Sequence, residues 1–399
     1  MSASTPVSAP VEPFVAPGFE AVARQFEDLF AAPHHGGGAL AVRWRGVPVV
    51  DVWAGTRDRA HRRPWLPDTG SVSFSTSKGI TAAVIHRLLD RHELQLDRPV
   101  AAWWPAFGAN GKGAITIRDV LTHDAGLHNV RDLVDDITDL LDDEEMERRI
   151  AAASPDPLPG NGPGYHAMTF GWILSGLVRA ATGRDMRALW QEELAEPLGL
   201  TGIRIGILGD HRAHVAELLE TGWDFPSMLD SLPGVLPWAR RASEAMGIHG
   251  LNELFMDPDR AVLGAQMPAV NGVFTARDLA TVYAGLGGHE VNGVRLLSDA
   301  AADRLRIVQT SRRDYVMGIR MHWRLGYHRA FMAGRRPRHA FGHYGFGGSG
   351  GWVDPVDDLA VAFVTNRLGT ATTPLADVRF FRLSSAVVRA TRSARPPVG

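Results

Sequence analysis

The segment Ser73-Phe74-Ser75-Thr76-Ser77-Lys78-Gly79 puts a hydroxyl and an amine three residues apart, where an apolar-periodic stretch begins. On a helix that spacing brings both side chains to one face. A serine hydroxyl becomes a nucleophile when a neighbouring base takes its proton, and a buried, neutral lysine is such a base. A helix N-terminus adds positive potential, which favours a developing alkoxide and disfavours an ammonium. Of the 42 Lys plus Arg residues only Lys78 and Lys112 are lysine. Arginine cannot give up its proton, so a lysine kept in an arginine-rich chain is a candidate for proton chemistry. Lys112, in Asn110-Gly111-Lys112-Gly113, reads as an ordinary turn residue. Ser-x-x-Lys alone is a weak pattern, and a capped helix start is its plain alternative.

Two further segments add chemistry in chain order. Gly164-Tyr165-His166-Ala167 follows a Pro/Gly-rich loop, Pro155 to Pro163, and opens a helical pattern. A tyrosine there can hold its phenol near the nucleophile, and a neighbouring lysine is expected to stabilise its phenolate form. Near the C-terminus, Gly342-His343-Tyr344-Gly345-Phe346-Gly347-Gly348-Ser349-Gly350-Gly351 has the glycines that let a substrate approach an edge strand. A backbone N–H of such a strand can pair with that of the nucleophile to bind an oxyanion.

The elements that must position these groups follow from periodicity. Residues 1–17, rich in Pro, Ser and Ala, read as a loose arm. A helix is expected over 18–31, then a hairpin of Ala39 to Trp44 and Val47 to Trp53 turning at Arg45-Gly46. A long helix runs from Ser75 to about Arg91, and Thr116 caps another. The acidic cluster at Asp135-Asp136 and Asp142 to Glu145 reads as a solvated helix face. A helix covers about 168–181, and residues 225–260, with Trp, Pro and Met, read as irregular and able to line a pocket. Asn271 to Thr275 is a turn feeding a helix through Ala284. Strands are expected at Tyr315 to Trp323, Gly351 to Asp354 and Leu359 to Thr365, with a last helix over about 376–390. Strands at both ends and helices between predict one sheet built from the terminal segments, with a helical domain (91–269) inserted into an α/β domain (18–90 and 270–399).

Composition narrows the class. The chain has 399 residues, 45% of them hydrophobic, a formal net charge of −2 and no cysteine. That excludes thiol chemistry and disulfides, and gives no field to recruit nucleic acid or an acidic membrane. No apolar run is long enough to span a bilayer, and the start Met1-Ser2-Ala3-Ser4-Thr5-Pro6 lacks the pattern of a signal peptide, so a cytoplasmic location is expected. The chain's 16 histidines form no His-Glu-x-x-His pattern, and no metal is expected.

With Leu121-Thr122-His123-Asp124-Ala125-Gly126-Leu127, the three motifs in this order resemble the serine β-lactamase-related family, most of all its class C-like, family VIII carboxylesterases, over roughly residues 18–390. The resemblance implies an α+β fold: an antiparallel sheet flanked by helices, as in β-lactamases and penicillin-binding proteins, with an inserted, mostly helical domain. It implies Ser75 as nucleophile, Lys78 and Tyr165 as joint general base, and the N–H groups of Ser75 and Phe346 as the oxyanion hole. It places His343, Tyr344 and Gly345 where true β-lactamases carry a lysine-rich triplet, and His166 beside the substrate. No cofactor is implied. Two departures matter. Ala167 stands where the tyrosine motif usually ends in asparagine, so another group must orient Lys78. His343 replaces a permanent cation that would clamp a substrate carboxylate. Both point to small, uncharged carboxylic esters, with transfer of the acyl group to an alcohol, or hydrolysis of β-lactams or D-amino peptides, as alternatives on the same acyl-enzyme. A non-catalytic penicillin-binding-like receptor is disfavoured by the intact Ser75, Lys78 and Tyr165.

A rival nucleophile, Ser349, lies in Gly347-Gly348-Ser349-Gly350-Gly351, a G-x-S-x-G match, and His35-Gly36-Gly37-Gly38 matches a lipase oxyanion motif. That scheme needs a histidine after the serine, and the last histidine is His343. Trp172, Trp223, Trp238, Trp323 and Trp352 are possible pocket walls, although large aromatics more often fill cores.

Overall fold

The structure, a computed structural model, describes residues 12–157, 162–219, 237–257, 259–332, 338–368 and 378–394. The expected arm over 1–11, the loop tip at 158–161, residues 225–236 and Trp223 lie outside the described residues.

Seven strands form one antiparallel sheet in the order Phe14–Val15, Val47–Gly55, Gly37–Trp44, Leu359–Thr365, Gly350–Asp354, Phe341–Tyr344, His328–Arg329. The terminal segments join at its centre, where Leu359 to Thr365 pair with Trp44 back to Gly38. Arg45 and Gly46 both take positive φ, 54° and 75°, as a two-residue hairpin turn requires. The strands are apolar on both faces because both are covered. Leu40, Val42, Val361 and Phe363 face the helices Glu20–Glu27 and Val378–Ser393, with Phe26 and Leu383 in the same cluster. Ala39, Ala41, Ala360 and Ala362 face the other way, where small side chains admit the helix Ala276–Leu286. The helix Thr76–Asp90 lies on this second side and is buried on nearly every face, Lys78 included.

The structure corrects several expectations. The arm ends sooner than residue 17, since Phe14 and Val15 pair with Asp51 and Val50. Residues 315–323 are turn and loop, not strand: the Asp314 side chain accepts the N–H groups of Val316 and Met317, and Gly318 and His322 take positive φ. The stretch read as irregular holds the helices Pro237–Met246 and Leu251–Met256. The middle segment also contributes a strand, Ile203–Arg204, to a small sheet with Val273–Phe274 and Ser71–Val72 just before the Ser75 helix. Lys112 is a buried cation: its amine bonds the carbonyls of Ala109 and Ala153 and fastens its turn to the end of the helix Asp143–Ala152. Trp172, Trp323 and Trp352 are fully buried core residues. No described helix is long and apolar enough to cross a membrane.

Candidate active site

The strand Ser71–Val72 delivers the chain to Phe74, whose φ of +46° is unfavourable for a residue with a Cβ. This sharp turn swings Ser75 to the head of its helix. The Ser75 side chain makes no capping hydrogen bond, so its hydroxyl is not consumed by the helix end. Its serine neighbours are consumed: Ser73 donates to Ser71 O, and Ser77 donates to Phe74 O while accepting the Gly272 N–H.

Lys78 Nζ lies 3.0 Å from Ser75 Oγ, 2.5 Å from Ala167 O and 3.0 Å from Ala269 O. Burial alone drives its pKa well below the ordinary lysine value. That shift favours the neutral amine, which has two N–H groups and one lone pair. The two carbonyls can only accept, so in the neutral form they take both N–H groups and the lone pair is left for the Ser75 hydroxyl; an ammonium would donate to all three oxygens. Main-chain carbonyls of Ala167 and Ala269 thus orient the lysine where the asparagine side chain is missing.

Tyr165 stands over the same pair. Its phenol hydrogen-bonds Ser75, and Lys78 Nζ is 4.9 Å from its ring centroid. Its pKa is raised, chiefly by burial, not lowered by the lysine as the sequence suggests. Burial disfavours the phenolate, and the nearby Asp314 carboxylate adds to the rise. Tyr165 therefore rests as a phenol, able to donate a proton. Its ring stacks on Trp323 at 5.6 Å and 9°, meets the edge of His123 at 5.0 Å, and lies 6.1 Å from His343.

The residues expected beside the substrate are distributed differently. His166 is fully buried: Nε2 accepts the Leu127 N–H and Nδ1 donates to Gly164 O, which fixes a neutral tautomer and leaves no atom for a substrate. Its pKa is held down to about 3, mainly by burial. His343 is also buried and kept neutral by desolvation, behind Tyr165. Tyr344 points to the far face of the sheet, where its hydroxyl bonds both N–H and carbonyl of Phe331. Gly345 is where the sheet touches the nucleophile segment, since a Cβ there would overlap Ser73 O. Ser349 is buried, and its hydroxyl accepts the Thr365 N–H inside the sheet, which removes it as a rival.

Ser75 and Phe346 line one cavity together with Ala167, Phe74, Met168, Val270 and Leu368. The helices Pro237–Met246 and Leu251–Met256 close it with Met246, Leu251, Asn252, Phe255 and Met256. No charged side chain lines this cavity among the described residues. The walls from Met246 to Met256 fall within the 225–260 stretch read from the sequence as a possible pocket lining, whereas Met168, Val270, Leu368 and the Ala269 carbonyl escape sequence reasoning.

Residues 22–382 match the family described as Beta-lactamase. The chain is 43% identical over 366 residues, 88% of its length, to the esterase/beta-lactamase LipL of Mycobacterium tuberculosis, 82% of which is covered. It superposes on a family VIII carboxylesterase with a TM-score of 0.84 at 31% identity, covering 96% of this chain and 100% of the other. It also superposes on a penicillin-binding protein homologue from Caulobacter crescentus with a TM-score of 0.82 at 30% identity, over 96% of this chain and 100% of that one. With the geometry above, these similarities define a serine hydrolase whose α+β fold is that of β-lactamases and penicillin-binding proteins. The chain belongs to the beta-lactamase family.

Proposed function

We propose that this hydrolase is a carboxylesterase that cleaves small, uncharged carboxylic esters through an acyl-enzyme on Ser75. The observation that carries the reading is the buried Lys78 amine at 3.0 Å from the Oγ of Ser75, a residue that lines an apolar cavity. Lys78 takes the Ser75 proton as the hydroxyl oxygen attacks the ester carbonyl. The tetrahedral oxyanion is held by the N–H groups of Ser75 and Phe346, an assignment supported by the shared cavity of the two residues. Tyr165 gives its proton to the departing alkoxide and regains one from the Lys78 ammonium. Water then attacks the acyl-enzyme, losing a proton to the same pair; the acyl–Oγ bond breaks, Ser75 Oγ takes that proton back, and the acid leaves. Every proton carrier in this scheme is a side chain of this chain.

The uncharged lining supports the substrate class, because a buried carboxylate without a cation is costly. Three methionines in the walls suit acyl groups of varied shape. The names of LipL and of the Caulobacter neighbour favour one second reading, opening of a β-lactam by the same acyl-enzyme. The test is kcat/KM for a neutral p-nitrophenyl ester beside that for a chromogenic cephalosporin. Esterase activity that exceeds lactam turnover and vanishes in Ser75→Ala supports the proposal, whereas preference for the cephalosporin replaces it with the second reading.

A further inference from the structure

Asp314 is a fully buried carboxylate that takes part in no ion pair among the described residues and has no step in the scheme above. It is occupied by N–H donors. Oδ1 accepts from Tyr165 N at 3.2 Å, Val316 N at 2.9 Å and Met317 N at 2.9 Å. Oδ2 accepts from the indole Nε1 of Trp323 at 2.9 Å. That same indole lies flat against the Tyr165 ring. One carboxylate therefore grips Tyr165 twice, at its main chain and, through Trp323, at its ring face.

We infer that Asp314 is the positioning residue for Tyr165, setting the phenol against Ser75 through this two-armed clamp. The inference rests on the reading that Tyr165 transfers protons in the reaction. The surrounding contacts belong to the same joint. Tyr315 N donates to Pro163 O, Gly164 N donates to His123 O, and the Tyr315 ring occupies the space a Cβ on Gly162 would need. Segment 162–165 is thus docked on the 314–317 turn, which reaches it from 149 residues away. Four N–H donors suit an ionised acceptor. Burial nevertheless raises the Asp314 pKa to about 6, and its charge adds to the forces keeping the nearby phenol protonated.

An asparagine cannot replace this group. Its amide has one accepting oxygen, so its NH2 would face either the Trp323 N–H or the cluster of three backbone N–H groups. Asp314→Asn should lower kcat for a p-nitrophenyl ester about 10- to 100-fold, the cost of misplacing a reacting group by about an ångström. KM should stay within about threefold, because the cavity is untouched. Trp323→Phe keeps the aromatic stack and the three backbone contacts but drops the Oδ2 donor, and should cost less. This second variant carries the same test if Asp314→Asn does not fold. The deciding measurement is a double-mutant cycle with Tyr165→Phe: once the phenol is gone, neither Asp314→Asn nor Trp323→Phe should lower kcat further. Equal losses of kcat in the wild-type and Tyr165→Phe backgrounds would overturn the inference alone, as would unchanged kcat in both single variants. A Tyr165→Phe enzyme with wild-type turnover would instead remove the role of Tyr165, and the inference with it.

Discussion

Lys78 Nζ stands 3.0 Å from the Ser75 hydroxyl, and its two other contacts are backbone carbonyls, not carboxylates. Nothing in that set stabilises an ammonium as a charged partner would, and burial lowers the lysine pKa well below 10.5. In the proposed mechanism the neutral amine is the active form, so activity should be present above the depressed Lys78 pKa and lost as pH falls through it. The rising limb of kcat/KM against pH should lie well below the ordinary lysine range. A limb near the ordinary lysine value would contradict a neutral resting amine.

Gly345→Ala should damage both stability and turnover. The added Cβ has no room against Ser73 O, so the sheet or the nucleophile segment must shift. Overpacking of this kind costs about 1–3 kcal/mol. Thermal unfolding should report that loss, and ester assays should report a fall in kcat larger than the rise in KM.

How much of this site is legible in the sequence depends on which atoms do the work. Ser75, Lys78 and Tyr165 are readable because the role proposed for each belongs to a side chain whose type and spacing imply chemistry. The same holds for the sheet, whose apolar runs Ala39 to Trp44 and Leu359 to Thr365 mark buried strands at both ends of the chain. The carbonyls of Ala167 and Ala269 are invisible, since every residue has one. The positive φ of Phe74 leaves no trace either, because nothing in a phenylalanine announces a strained turn. Residues 315–323 mislead for a related reason. Their short apolar alternation suits a strand, but the Asp314 side chain captures the backbone N–H groups that a strand would need.

The cavity predicts a chain-length series. Each methylene of the acyl group buried among Met168, Met246, Leu251 and Phe255 should gain about 0.8 kcal/mol, roughly fourfold in kcat/KM, until the space is full. Phe255→Ala removes the ring that packs on Phe74 at 5.0 Å and should move the optimum to longer chains. Kinetics on a homologous series of p-nitrophenyl esters would show this, and an optimum unmoved by Phe255→Ala would contradict the assignment of the cavity to the acyl group.

Glu147 predicts a pH effect on stability remote from the site. Burial raises its pKa to about 7 although Arg179 Nε lies 3.0 Å away. Between the ordinary value of 4.5 and about 7 the folded chain holds a proton that the unfolded chain has released. The contribution of Glu147 to stability therefore falls as pH rises through that window. Glu147→Gln cannot titrate, so its melting temperature relative to wild type should climb from about pH 5 to about pH 8. A pH-independent difference would contradict the raised pKa.

The central claim, that Ser75 is the nucleophile and the neutral Lys78 amine activates it, is tested most directly by fluorophosphonate trapping with mapping of the labelled peptide. Wild type should carry the label on Ser75, and Lys78→Arg, which puts a permanent cation there that cannot accept a proton, should slow labelling by about 10²- to 10⁴-fold. Label on Ser349 or any other residue, or near-normal labelling of Lys78→Arg, would contradict it.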